Sequence, residues 1–131
     1  MEATVSGTAD VAQASRSLLG RSDAILLGPD GVVIAGLDGV AAAALADGTP
    51  LYAVGADPST PGLFATMGPD YPELGTAAGN VAVEVLQGAD PGAVPFAAPD
   101  LELQTQINGA TLEQLGIELP ADVAAESQIV G

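Results

Sequence analysis

The chain has 131 residues, enough for one domain, and its charge already argues against several classes of function. Seventeen acidic and two basic residues give a formal net charge of −15, which repels phosphate backbones and anionic lipid, so we expect no nucleic-acid partner. The sequence contains no Cys and no His, which removes disulfides, thiolate chemistry and the usual bases of acyl transfer.

The sequence also lacks the signals of membrane insertion and export. No apolar run approaches about 18 residues, and no signal peptide is recognised, so we expect no membrane insertion. With two Tyr, two Phe and no Trp, the core must be built from Leu, Val, Ile and Ala.

Hydrophobic periodicity and glycine or proline stops divide the chain into five strands and four helices. Strands are predicted at 2–7, 23–28, 50–55, 63–67 and 101–107. Helices are predicted at 9–20, 32–47, 70–88 and 109–115. A rigid loop is predicted at 56–62, a connector with three prolines at 89–99, and a loosely docked tail around Pro120.

Three times an apolar strand runs into a glycine and then an aspartate. The aspartates are Asp10, Asp30 and Asp57. Strand, glycine turn and acidic helix start are typical of a parallel α/β sheet, so we predict a flavodoxin-like, three-layer αβα domain. Ligands of such sheets bind at the carboxyl ends of the strands, where these carboxylates would lie.

Longer stretches resemble a known family. They are Ser22–Val33, Thr49–Ala53, Gly62–Gly68, Asp70–Gly75, Leu86–Pro91 and the run from Leu115 to Pro120. Together they are similar to the second lobe of ABC-transporter substrate-binding proteins of the periplasmic-binding-protein type I kind, in the group that includes aromatic-amino-acid binders.

That resemblance implies a receptor in which two α/β lobes close on a small-molecule solute, and we expect this solute to be a small amino-acid-like ligand. It implies an extracytoplasmic location, delivery to an ABC permease, no enzymatic activity, no cofactor and no metal. By the family pattern, two loops line the ligand-binding cleft. One carries Asp30 with its neighbours Pro29 and Gly31, and the other carries Asp57 with Ala56. Pro29 and Gly31 stand where family members commonly carry Thr and Asn, so two polar contacts are missing.

The resemblance covers only the back half of the family protein. Residues 1–131 would be a single α/β domain that corresponds to the second lobe, with the crossover helix 70–88 and a C-terminal arm at 108–131. By the family pattern, the first lobe and the opening strand of the second lobe would then lie outside residues 1–131. The chain is then a fragment or a designed scaffold without its own ligand, a repacked single domain, or a homodimer that exchanges helix 70–88.

Each candidate residue also has an ordinary structural role. Asp30 would cap the following helix, Asp57 before Pro58 would form an Asx turn, and Asp10 would complement a helix dipole. Tyr71 would pack rather than stack on a ligand. Rival functions are weaker: a Mg²⁺-dependent receiver domain lacks its Lys, a flavin protein lacks bracketing aromatics, and a sugar-responsive regulator lacks a basic DNA-binding segment.

Overall fold

A computed structural model describes residues 1–94 and 103–131 of the chain. In chain order these residues form six helices and five strands. The helices are α1 (Thr8–Arg16), α2 (Gly31–Ile34), α3 (Leu37–Asp47), α4 (Tyr71–Leu86), α5 (Gly109–Leu115) and α6 (Ala121–Glu126). The strands are β1 (Ile25–Leu27), β2 (Leu51–Val54), β3 (Ala65–Pro69), β4 (Leu103–Asn108) and β5 (Ser127–Val130).

The five strands form one sheet in the order β1-β2-β3-β4-β5. Strand β2 runs parallel to both β1 and β3, and β4 runs parallel to β5. Helices connect β1 to β2 and β4 to β5, as parallel pairs require. The predicted α/β class with a parallel sheet is therefore confirmed.

The chain divides into two compact units. Unit 1 comprises residues 1–68 and 105–131, and unit 2 comprises residues 69–104. In unit 2, Asp70 caps α4 by accepting a hydrogen bond from Glu73 N–H at 3.0 Å, and Pro72 lies in the first turn, as predicted. Helix α4 buries none of its residues.

Two clusters of buried side chains stabilise unit 1. The first places the inward residues of β1 and β2 against α1 and α3, and its largest fully buried members are Leu51, Leu63, Val11 and Val40. The second joins Phe64, Ala65 and Ile107 to Leu112 and Leu115 of α5. Each fully buried Leu or Val contributes about 1.5–3 kcal/mol relative to an exposed one.

Residues 2–7 form no strand, so that prediction was wrong. The alternation of Ala3 and Val5 suits a strand, but a strand needs hydrogen bonds to a neighbour. The free edge of β1 is separated from this segment by a cavity that both of them line.

Two further predictions were wrong, one about the helix at 32–47 and one about the C-terminal tail. The helix expected at 32–47 is two helices, because Gly36 has φ −98° and ψ 5° and interrupts the helical backbone. A Cβ at Gly36 would lie 2.9 Å from the Val11 Cβ, so α1 packs closely at this break. The tail is not a loose arm: α6 and β5 follow Pro120, and β5 completes the sheet. Of the predicted strand 101–107 and connector 89–99, residues 95–102 lie outside the described part of the chain.

Candidate functional site

The loops after β1 and β2 emerge side by side at the carboxyl edge of the sheet. The two strands are parallel neighbours, with Leu27 opposite Ala53. Neighbouring strands lie about 4.8 Å apart, so the loop at 28–30 lies next to the loop at 55–62. The sequence prediction that these two aspartate loops share one edge of the sheet follows from this register.

Asp30 caps helix α2. Its Oδ1 accepts hydrogen bonds from Val32 N–H at 2.8 Å and from Val33 N–H at 3.1 Å. Its structural role is therefore confirmed. Pro29 precedes it in the exposed turn after β1, and Gly31 is the first residue of α2.

Asp57 forms the expected Asx turn. Its Oδ1 accepts hydrogen bonds from Ser59 Oγ at 2.7 Å and from Ser59 N–H at 2.9 Å. These two bonds hold the pKa of the Asp57 carboxyl below its ordinary value, and the bond from the Ser59 hydroxyl has the larger effect. Desolvation of the carboxyl raises the pKa by a smaller amount. The Asp57 side chain is exposed to solvent and stays ionised at neutral pH.

The second loop is held by side chains that lie far away in the sequence. Asn108 Nδ2 donates to Pro58 O at 2.8 Å, and Thr111 Oγ1 accepts from Gly62 N–H at 3.1 Å. Thr66 Oγ1 accepts from Ala56 N–H at 3.1 Å. Asn108 and Thr111 are 6% and 1% exposed, so these bonds are shielded from water. The loop presents Asp57 on a rigid support.

These three supporting residues were missed by the sequence prediction. Asn108 had a usable signal, because an Asn between a strand and a helix is a common N-cap, and its Oδ1 accepts from Thr111 N–H at 2.8 Å. Thr66 and Thr111 gave no such signal, since their partners are 10 and 49 residues away.

Ala56 lies in the first buried cluster at 8% exposure, and its N–H is already bonded to Thr66. The ligand role predicted for it from the family pattern stays a prediction. The same holds for Pro29 and Gly31, whose positions in the exposed turn the structure gives without a ligand.

The other candidates lie elsewhere. Asp10 is in the first turn of α1, where its charge suits the helix dipole. Tyr71 is the first residue of α4 in unit 2 and is exposed. Within residues 1–94 and 103–131, no three acidic side chains gather as a metal site would require, so the magnesium alternative finds no support.

The carboxyl edge of unit 1 is acidic. Of the two basic residues of the chain, Arg16 ends α1 and Arg21 lies between α1 and β1, toward the amino end of β1. Asp30 and Asp57 follow the opposite ends of the strands, away from both arginines. Such an edge suits a ligand that carries an ammonium or another cationic group.

The chain is similar to known proteins over almost its whole length. The family model for "ABC transporter substrate binding protein" matches residues 1–130. A tyrosine-binding protein of Clostridioides difficile (strain R20291) is 32% identical over 123 residues, which is 93% of this chain and 35% of the relative. The chain thus spans about a third of that relative's length.

Solved structures share the fold. A domain from Streptococcus pneumonia, described as an ABC domain in complex with L-Trp, superposes with a TM-score of 0.83 at 27% identity, over 96% of this chain and 43% of the other. A conserved domain protein from Vibrio cholerae gives a TM-score of 0.81 at 26% identity, over 100% of this chain and 44% of the other.

Among the described residues, no helix has the length and apolar character needed to cross a membrane.

Proposed function

Because the chain belongs to the family of ABC transporter substrate-binding proteins, we propose that it serves as the second lobe of an extracytoplasmic receptor that passes a solute to an ABC permease. The family match over residues 1–130 supports this assignment. The composition agrees with a role in binding rather than catalysis, since the sequence offers neither His nor Cys.

We assign different roles to the two compact units, and the division of the chain supports this assignment. Unit 1 is the ligand-bearing lobe, and α4 in unit 2 is the crossover helix that belongs with the other lobe of the receptor. Supporting this, α4 buries none of its residues, and the chain covers only 35% of its tyrosine-binding relative. An amphipathic helix of 16 residues normally buries one face against a partner.

The ligand is a small amino acid-like molecule whose ammonium group lies between Asp30 and Asp57. The observation that carries this proposal is that the two aspartates follow adjacent parallel strands at one edge of the sheet. Both side chains use Oδ1 for their local hydrogen bonds, so Oδ2 of each is the atom we assign to the ligand. The relatives that bind tyrosine and L-Trp support an aromatic amino acid as the first choice.

The experiment is an NMR titration of the chain with L-tyrosine, L-tryptophan, tyramine, and a tyrosine analogue without its amino group. We expect shifts in the loops at 28–31 and 56–59 with the three amines and none with the deaminated analogue. Asp30→Asn keeps the helix cap and removes the charge, and Asp57→Asn does the same for the Asx turn. Each should weaken amine binding about tenfold, as expected for losing one charge-assisted hydrogen bond of about 1.4 kcal/mol.

Asp23→Asn is the matched control, because Asp23 is exposed and precedes β1, at the opposite end of this strand from Asp30. Equal binding by Asp30→Asn, Asp57→Asn and the control would contradict the site assignment.

The second candidate function is a scaffold without a ligand of its own, favoured by the local hydrogen bonds that already engage both carboxylates. Absence of shifts with every amine at millimolar concentration would favour that scaffold.

A further inference from the structure

Asn108 is followed directly by Gly109, and the fold requires both residues of this pair. Asn108 is 6% exposed, and its side chain bonds both to the loop at 56–62 and to α5. Gly109 lies against the end of β5, where a Cβ would be 3.2 Å from Ile129 Cγ2 and 3.2 Å from Gly131 O. A larger side chain at position 109 would displace the end of β5, so packing favours a glycine directly after this asparagine.

An asparagine followed by a glycine is chemically labile, because the glycine nitrogen is unhindered and its main chain is flexible. In deamidation the Gly109 main-chain nitrogen attacks Asn108 Cγ. The N–Cγ bond forms, the proton of the Gly109 N–H moves to Nδ2, and Nδ2 leaves as ammonia. Water then opens the resulting imide ring at one of its two carbonyl carbons, which gives aspartate or isoaspartate at position 108.

The hydrogen bonds of Asn108 oppose this attack in the folded chain. Nδ2 donates to Pro58 O at 2.8 Å and to Thr60 O at 3.4 Å, and Oδ1 accepts from Thr111 N–H at 2.8 Å. The main chain is fixed as well, since Asn108 N–H donates to Phe64 O at 3.0 Å and the residue has the φ −75° and ψ 110° of a helix cap. Ring closure requires rotation about the bonds of Asn108, so the bonds to the loop must break first.

We propose that Asn108 is a deamidation site whose reaction is controlled by opening of the 56–62 loop, and that the reaction leaves this loop permanently looser. After deamidation a carboxylate oxygen replaces the Nδ2 donor and faces the carbonyl oxygens of Pro58 and Thr60. Carboxylate and carbonyl oxygens are all acceptors, so these two bonds cannot form again. The new carboxylate still accepts from Thr111 N–H, so α5 keeps its cap in the aspartyl form.

The chemistry of Asn108 is independent of any ligand. The loop carries Asp57, so an effect of deamidation on amine binding rests on the proposed function. Deamidation itself is measured on the amide and on the loop, without an amine present.

The test is incubation of the full chain in mildly alkaline buffer, with and without unfolding guanidinium chloride. Peptide mass spectrometry follows the conversion of each asparagine with time. Asn108 should convert at least about tenfold faster in the unfolded chain, because opening of the folded loop costs free energy. The other asparagine, Asn80, is the internal reference: the β-branched Val81 hinders attack, so Asn80 should convert slowly in both conditions.

Thr111→Val tests the role of loop opening, because it removes the acceptor of Gly62 N–H and leaves Asn108 and Gly109 unchanged. In the folded chain it should accelerate conversion about fivefold or more, whereas in guanidinium chloride its rate should equal that of the parent. Thr111→Ser keeps the hydroxyl and should restore the parent rate. Thr76→Val, on the exposed surface of α4, should leave the rate unchanged.

A second measurement replaces Thr111→Val if that variant does not fold. The parent chain is incubated at guanidinium concentrations below its unfolding transition. Local opening should raise the rate of conversion of Asn108 before the chain unfolds as a whole. A rate that rises only together with global unfolding would contradict control by the loop.

The deamidated chain carries an additional negative charge, so anion exchange separates it from the parent. Amides of the 56–62 loop should exchange at least about fivefold faster in the deamidated chain, and Asn108→Asp should reproduce this for the aspartyl form. Three results would overturn the proposal: equal conversion of Asn108 in the folded and unfolded chain, equal conversion in the folded parent and folded Thr111→Val, or unchanged loop exchange after deamidation. The amine titration reports on ligand binding instead, so failure of the ligand site and failure of this proposal are distinguishable.

Discussion

Asn108 and Pro58 are joined across 50 positions of the chain by a hydrogen bond of 2.8 Å between the side-chain amide and the Pro58 carbonyl oxygen. The same Asn108 side chain caps α5 through its Oδ1. One buried amide therefore fixes both the loop that carries Asp57 and the helix that closes the second cluster. The Asn108 side chain donates through Nδ2 and accepts through Oδ1, so few other side chains can replace it.

Replacing Asn108 by Ala should destabilise unit 1 by about 2–3 kcal/mol, the sum of a lost helix cap and a lost buried hydrogen bond. Asn108→Asp retains the acceptor for Thr111 N–H and loses the donor to Pro58, so it should loosen the 56–62 loop more than α5. Urea unfolding measures the first effect, and amide exchange in the loop measures the second. Equal stability of Asn108→Ala and the parent chain would contradict the double role.

Thr111→Val should cost about 1–3 kcal/mol, because it keeps the shape and leaves the buried Gly62 N–H without an acceptor. Thr76→Val is the matched control: Thr76 donates to Pro72 O on the exposed surface of α4, and its replacement should change stability by less than about 0.5 kcal/mol. The denaturant midpoints of the two variants measure this difference. If Thr76→Val lowers the midpoint as much as Thr111→Val, the unpaired Gly62 N–H is not the cause of the loss.

Two glycines with similar backbone angles should respond differently to alanine. Gly48 has φ +78° and nothing within 4 Å of a built Cβ, so Gly48→Ala should cost about 1–2 kcal/mol of backbone strain. Gly62 has φ +85° and its Cβ would lie 2.5 Å from Ala41 O, which adds a clash with main chain. We expect Gly62→Ala to lower the free energy of unfolding by about 3 kcal/mol or more, which thermal unfolding measures. Equal losses in Gly48→Ala and Gly62→Ala would contradict the clash at Gly62.

Removing the Ser59 hydroxyl should raise the pKa of Asp57 toward its ordinary value of about 3.9, since that hydroxyl is the largest cause of the lowered pKa. A carboxyl with a lowered folded pKa stabilises the fold fully above its unfolded pKa and loses that contribution as the pH falls through the folded pKa. The Asx turn therefore stabilises the loop at neutral pH and fails only below about pH 4. Carboxyl NMR titration of Ser59→Ala checks this, with Ser17→Ala as a control that should leave Asp57 unchanged.

One face of α4 carries an apolar stripe that is not buried, formed by Leu74, Ala77, Ala78, Val81, Val85 and Leu86. This stripe should drive association of the isolated chain by exchange of α4 between two copies. Val81 lies on the stripe and is 41% exposed, whereas Val83 is 50% exposed on the side that carries Thr76 and Asn80. The net charge of −15 opposes association at low salt and is screened at high salt. Light scattering should show a dimer fraction that rises with ionic strength, falls in Val81→Gln and persists in Val83→Gln. A monomer at every salt and protein concentration would exclude the exchange.

The sequence predicts what depends on neighbours along the chain. Asp30, Asp57 and Asp70 form the cap, Asx turn and cap expected of them, because each bonds to main chain within three residues. The strands at 25–27 and 51–54 are apolar enough to be recognised without their partners.

What the sequence does not predict depends on distant contacts. Residues 2–7 alternate like a strand and form none, the break at Gly36 lies where α1 packs closely through Val11, and β5 pairs with β4 from about 20 positions away. The supports of the second loop belong to the same class, since Asn108 and Thr111 reach it across about fifty residues. Such contacts leave no periodic pattern for a single sequence to show.

The two buried clusters of unit 1 also differ in how they can assemble. The first draws its buried residues from the continuous stretch between Val11 and Leu63, so its contacts form within one segment of the chain. The second must bring Phe64 and Ala65 to Ile107 across more than forty intervening positions, a closure that is entropically slower. Refolding should therefore proceed in two kinetic phases, with amides of β1 and β2 protected first in pulse-labelled exchange and those of β4 and β5 protected later.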